Sequence, residues 1–86
     1  KGRSKKIIKL SKETRTVVLF ESPHRIIKLL NEIKDICGIE KNISVSREIS
    51  KIFEETIRGT VNECLSHFEN NEPKGEFVIC IEGLKN

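Results

Sequence analysis

The sequence predicts an α+β domain of order βαββαβ: a four-stranded, mostly antiparallel sheet with two main helices on one face. Three observations predict it. Residues 17–20 and 77–81 are apolar on both faces, as buried strands are. Residues 26–37 and 61–68 repeat apolar side chains at helical spacing. Each strand–helix–strand unit must cross over right-handed, and two such units interlock most simply as this sheet.

The elements follow in order. Residues 4–12 can form a short basic helix with Ile7, Ile8 and Leu10 on its apolar side. A strand over 16–21 stops at Glu21-Ser22-Pro23. Ser22 suits an N-cap and Pro23 a first helical turn, which predicts a helix over 23–37 closed by Gly38 as a left-handed cap. Ile43-Ser44-Val45-Ser46 alternates with period two and continues to Ile49, a second strand. Residues 53–58 alternate again, and their charges suit an edge, where they discourage pairing with other chains. Thr60 and Glu63 have capping-box spacing, which starts a helix over 60–70; Asn70-Asn71 and Pro73 stop it. The last strand, 76–82, belongs in the middle. Strand order 1-4-2-3 meets these conditions. The second face of the sheet, partly apolar in the first and last strands, then needs a cover from another domain, a second subunit or both.

Composition bounds the function. With 86 residues, 36% apolar and four phenylalanines as the only aromatics, the chain is one domain with a thin core and marginal stability alone. Its longest apolar run, residues 17–20, is too short for a transmembrane helix, and its start does not resemble a signal peptide. Cys37, Cys64 and Cys80 lack zinc-site spacing and fall on apolar stripes, so they read as small buried hydrophobes in a reducing compartment. No P-loop, GxGxxG, GxSxG or HExxH occurs, nor an aromatic RNA-binding platform. The net charge of +3 is uneven: +6 in the first twelve residues and −3 in the rest. A basic end on a mildly acidic body suits either a phosphate-rich partner or a solvated linker.

In this topology strands one and two end where strands three and four begin. Glu21, Ser22, His24 and Arg25 therefore meet Glu48, Ile49, Ser50 and Lys51, then Glu54 and Lys74-Gly75-Glu76, at one rim. Pockets form at such strand ends. Each piece also has a plain reading: a helix cap, a solvated histidine, or surface ion pairs worth ~0–1 kcal/mol.

Leu19-Phe20-Glu21-Ser22-Pro23-His24-Arg25, Ser46-Arg47-Glu48, Glu54-Glu55, Arg58-Gly59-Thr60, Lys74-Gly75-Glu76-Phe77-Val78 and Glu82-Gly83 occur in this order. Together they resemble the carboxy-terminal part of bacterial ribosomal RNA small-subunit methyltransferases of type I, in the tetrapyrrole (corrin/porphyrin) methylase superfamily. The resemblance spans about residues 1–83. It implies the C-terminal subdomain of the tetrapyrrole methylase fold, over 15–84, preceded by a basic inter-domain linker or helix over 1–14. It further implies a missing Gly-rich amino-terminal domain, so that Lys1 is not the native start.

The implied parent uses S-adenosylmethionine, held between its two domains, to methylate a cytidine ribose 2′-hydroxyl in small-subunit ribosomal RNA. It would be a cytoplasmic homodimer with no membrane contact, and the fragment alone would be inactive. By position, the resemblance assigns cofactor contacts to Phe20, Glu21, Ser22, Glu48, Ile49, Ser50 and Glu76. Phe20 replaces the family's tyrosine and loses its hydroxyl. Lys5, Lys6, Lys9, Arg25 and Arg47 are the expected RNA contacts. No general base and no metal ligand is assigned. The rival readings are a tetrapyrrole carbon methylase and a non-catalytic RNA-binding or dimerisation module.

Overall fold

A computed structural model describes residues 9, 12–48 and 54–84. The expected helix over 4–12, apart from Lys9 and Lys12, and the link between the second and third strands lie outside them. The described elements are β1 (Val17–Glu21), α1 (Ile26–Cys37), β2 (Asn42–Glu48), β3 (Glu54–Thr60), α2 (Val61–Asn70) and β4 (Glu76–Ile81). The sheet runs β1-β4-β2-β3, and every neighbouring pair is antiparallel. This is the predicted fold and strand order.

Strand β4 takes an inner place because it can be buried on both sides. Phe77, Ile79 and Ile81 lie under the helices, and Val78 and Cys80 are half-buried on the other face. Its register pairs Phe77 with Glu21 of β1 and with Arg47 of β2. Ile43 and Val45 of β2 extend the same buried surface. From above, Ile26, Leu29, Leu30 and Ile33 of α1 and Val61, Cys64 and Phe68 of α2 close the core. Burying one such side chain fully contributes roughly 1.5–3 kcal/mol, so this single layer of helix-to-sheet contacts is the main source of stability.

The start of α1 differs from expectation. The helix begins at Ile26, three residues later, and its N-cap is Arg25 with no side-chain cap bond. The cause lies in Glu21 and Ser22. The Ser22 amide donates to Glu21 Oε1 at 2.9 Å, while the Ser22 carbonyl accepts the amides of Arg25 and Ile26, both at 3.1 Å. Pro23 therefore sits in a turn joining β1 to α1 and not in the helix. At the other end Gly38 has the expected positive φ of 95°, but its ψ of 159° is extended. Its amide donates to the Lys34 carbonyl at 2.9 Å, and a turn in which the Lys41 amide donates to the Gly38 carbonyl at 3.3 Å leads to β2.

Strand β3 runs two residues past its expected end, since Gly59 and Thr60 still pair with Ile43 and Asn42. No loop separates it from α2. Thr60 is both the last strand residue and the cap: its hydroxyl accepts from the Glu63 amide at 3.2 Å, and Glu63 Oε1 accepts from the Thr60 amide at 2.8 Å. A Cβ at Gly59 would lie 2.7 Å from that Oε1, so glycine leaves room for the reciprocal bond.

Of the three cysteines only Cys64 is fully buried, and burial together with the neighbouring Glu63 charge pushes its thiol up to about 11. Cys37 and Cys80 are half-buried, and Cys80 lies on the sheet face away from the helices. That face carries Val18, Phe20, Val78, Cys80, Ser44, Ser46, Thr56 and Arg58, and no described element covers it. Phe20 is 77% exposed and Val18 50%.

The chain enters and leaves the sheet at one point. The Glu13 carbonyl accepts the Leu84 amide at 2.7 Å, and a Cβ on Gly83 would collide with the Thr14 carbonyl. Glu13 Oε1 also accepts from the Thr14 and Arg15 amides and from Arg15 Nε, at 3.0–3.1 Å. The Arg15 side-chain and backbone bonds hold the Glu13 carboxyl down to about 2.

Two predictions follow from these contacts. Thr60→Ala lowers stability by ~1 kcal/mol, read as a shifted urea midpoint with an unchanged slope; an unmoved midpoint removes the cap from the account. The Glu13 contacts stabilise the folded entry above the ordinary carboxylate pKa of 4.5 and are lost as pH falls toward about 2. The Arg15 amide resonance should titrate with a midpoint near that lower value. A midpoint near 4.5 would mean the contacts do not form.

Candidate functional site

The ends of β1 and β2 and the starts of β3 and β4 meet at one rim, as register requires. Glu21 lies opposite Phe77, Phe77 opposite Arg47, and Arg47 opposite Glu55. One step outward, position 48 lies opposite both 54 and 76. The rim therefore consists of two adjacent rows with different surroundings.

The inner row belongs to the helix face. Glu21 is only 7% exposed, and its Oε1 is fixed by the Ser22 amide. Arg47 is largely buried and its Nη2 lies 3.1 Å from Glu55 Oε1. His67 of α2 stands over this pair, with Nε2 4.0 Å from the same oxygen. His67 meets Phe68 edge-on with ring centres 5.2 Å apart, and Phe68 meets Phe77 edge-on at 5.5 Å. The last turn of α2 thus clamps the row from above. An ion pair with one half-exposed partner contributes ~0–1 kcal/mol, so Arg47 is held chiefly by its packing.

The outer row carries three glutamates, at positions 48, 54 and 76, in continuous register. Ser22 is half-buried, and Lys74 and Glu76 are exposed. His24 and Arg25 are exposed in the turn before α1.

Of the expected cofactor residues, the structure places Glu21 in the inner row on the helix face, Ser22 just beyond it, and positions 48 and 76 in the outer row, which has the parity of the open face. Phe20 is next in sequence to Glu21 and lies on the open face, the face opposite Glu21 and the one whose parity positions 48 and 76 share. Ile49 and Ser50 lie outside the described residues. The expected RNA contacts do not form one cluster among those described. Arg47 is engaged with Glu55 inside the helix face, Arg25 stands beyond the rim end of β1, and Lys9 precedes its other end; Lys5 and Lys6 lie outside the described residues. The described partner of Arg47 is Glu55. Residues 47 and 48 point to opposite faces of a strand, and only the register of β2 with β3 selects Glu55.

Sequence reading overlooked one residue. Arg58, read as an edge-strand charge, lines a shallow groove on the open face with Thr16, Ser44, Cys80 and Glu82. Its parity with Thr56 placed it on that face, but the groove appears only when the strands are assembled. Among the described residues, no three His, Cys, Asp or Glu side chains are placed to hold a metal ion.

No family model matches the chain. Curated relatives do. It is 39% identical over 83 residues to the ribosomal RNA small subunit methyltransferase I of Thermotoga maritima, covering 96% of this chain and 37% of that protein. With the protein of the same name in Synechocystis it shares 39% over 74 residues, 86% of this chain and 26% of the relative. With that of Bacillus subtilis it shares 35% over 86 residues, all of this chain and 29% of the relative. The chain thus spans about a quarter to a third of the length of these relatives. The chain belongs to the family of the ribosomal RNA small subunit methyltransferases I, of which it represents one portion.

Proposed function

We propose that this chain is the carboxy-terminal wall of a two-domain S-adenosylmethionine-dependent methyltransferase that acts on a cytidine ribose 2′-hydroxyl in small-subunit ribosomal RNA. In this proposal residues 15–84 form the wall and residues 1–14 the basic link to an amino-terminal domain. The parent works as a cytoplasmic homodimer. The observation that carries the reading is the rim, where strand termini place Glu21 and Ser22 next to the row of positions 48 and 76. The names of the relatives point to the same reaction class and the same RNA.

The donor set suits such a cofactor. S-adenosylmethionine supplies a methyl carbon on a positively charged sulfur, which a nucleophilic oxygen displaces in line. Catalysis then rests mainly on holding the reacting atoms close and aligned. Carboxylates at a rim can accept hydrogen bonds from ribose hydroxyls and offset a positive charge. Within this chain the Glu21 bond to the Ser22 amide fixes the shape of the β1–α1 turn. The Phe77–Phe68–His67 stack holds α2 over the end of β2. The chain thereby offers a rigid wall, while the facing wall and any group that takes the hydroxyl proton belong to the rest of the parent. A single wall cannot align two substrates, so the isolated portion does not turn over.

The test uses Glu48→Gln and Glu21→Gln in the full-length parent, with thermal midpoint, cofactor affinity and methylation of small ribosomal subunits measured together. Glu48→Gln is expected to weaken cofactor binding about tenfold, ~1.4 kcal/mol, at an unchanged midpoint. Glu21→Gln is expected to reduce methyl transfer even where the protein stays folded. Full activity at low temperature with a lowered midpoint would make the rim a structural feature only.

A further inference from the structure

The proposed cofactor wall leaves the open face of the sheet without a role. The face has an ordered composition. On the β1 and β4 side it is apolar: Val18, the outstanding Phe20, Val78 and Cys80. On the β2 and β3 side it is hydroxyl-bearing and cationic. Ser46 and Thr56 bond to each other at 3.1 Å, and Ser44 lies opposite Arg58. The two middle rows, Phe20-Val78-Ser46-Thr56 and Val18-Cys80-Ser44-Arg58, contain no acidic residue.

Arg58 differs from the other described arginines of the sheet and its approach. Arg15 is taken by Glu13 and Arg47 by Glu55. Arg58 is exposed and has no hydrogen bond or ion pair among the described residues, although it borders a groove. The carboxylate in that groove, Glu82, accepts from Asn42 Nδ2 at 3.2 Å. Lys9 and Lys12, both exposed, precede the crossing at Leu84, which is the groove end of the sheet. Lys9, Lys12 and Arg58 thus lie toward the groove end, where Glu13 and Glu82 are already engaged, and the exposed Glu76 stands at the rim end.

We infer that the open face receives a single-stranded stretch of RNA, with Arg58 at a backbone phosphate and the β1–β4 apolar strip, Phe20 outermost, under an unstacked base. The inference rests on the proposed action on ribosomal RNA and adds where that RNA lies. A free arginine facing a groove provides a phosphate contact, and an exposed phenyl ring accepts any base by stacking. Phe20 and Arg58 are three strand spacings and one two-residue step apart, about 16 Å, a reach of a few nucleotides. Glu76, exposed at the rim end of β4, repels phosphates, so the RNA path crosses the strands through the middle rows. This arrangement leaves the rim to the cofactor.

The experiment compares the full-length parent with its Arg58→Gln, Arg58→Glu and Arg58→Lys variants. Arg58 is exposed and has no partner among the described residues, so the thermal midpoint should not move. Binding of a short unstructured RNA oligonucleotide is followed by anisotropy across a salt series, and methylation of small ribosomal subunits is followed separately. Arg58→Gln is expected to weaken oligonucleotide binding about five- to tenfold and to flatten the log–log salt slope by about 0.7, the value of one phosphate contact on a single strand. Arg58→Glu should weaken it further, and Arg58→Lys should restore most of it. The KM for subunits should rise while kcat and cofactor affinity stay unchanged. If the wild-type parent binds the oligonucleotide through Arg58 but methylates no subunit, the surface stands and the proposed reaction fails. If it methylates subunits while Arg58→Gln leaves affinity, KM and salt slope unchanged, the surface is wrong. A lowered midpoint or a change in oligomeric mass in Arg58→Gln would show the face covered by the parent's own chain or a second copy, and would also overturn it.

Discussion

The insertion of β4 between β1 and β2 is the constraint on which the other features depend. Without it the first and second strands share no hydrogen bond, because both pair with β4 and neither with the other. The helices then have no continuous surface to cover, since Phe77, Ile79 and Ile81 form the middle of that surface. The rim also requires it: Glu21 and Arg47 share a row only because Phe77 lies between them. The strand that completes the sheet is the last in sequence, so its pairings with β1 join residues some sixty positions apart. Such non-local pairing is slow to form. Local elements with their own stop and start signals, chiefly the capped α2, can form ahead of it.

Strand alternation then divides the molecule's chemistry between two faces. Glu21 and Arg47 go to the helix face and become rigid, one fixed by its neighbour's amide and the other by Glu55 under the last turn of α2. Phe20 and Arg58 go to the open face and stay accessible. A one-residue slip in β1 would exchange Phe20 with Glu21, burying the ring and exposing the carboxylate. The same slip would remove the Glu21–Ser22 bond that shapes the turn into α1. Placement of the rim and of the open face is thus one decision, made by register.

What could be read in the sequence was what depends on local pattern or on burial. The two-faced apolarity of residues 77–81 required an inner strand, the charges of 54–58 required an edge, and Thr60 with Glu63 announced the helix start at the correct residue. The start of α1 was misread because Ser22-Pro23 carries the same local signal as a true cap. The Glu21 carboxylate, folded back from β1, satisfies the Ser22 amide and turns the chain three residues further. The pairing of Arg47 was hidden for a different reason. Glu48 is its neighbour in sequence, but alternation separates the two, and Glu55 comes opposite only through the length of the intervening link. The groove beside Arg58 draws on β2, β3, β4 and the approach to β1, and no single segment encodes it.

The crossing of residues 13–15 over Gly83 and Leu84 has a mechanical consequence. Residues 13–15 and 83–84 bring two lengths of backbone into contact at the end of the sheet away from the rim. A displacement applied there cannot stretch the sheet along its strands; it rotates the domain as a body about that contact. The rim, at the far end of the lever, then sweeps the widest arc. Gly83 makes that contact tight because no side chain separates the two backbones.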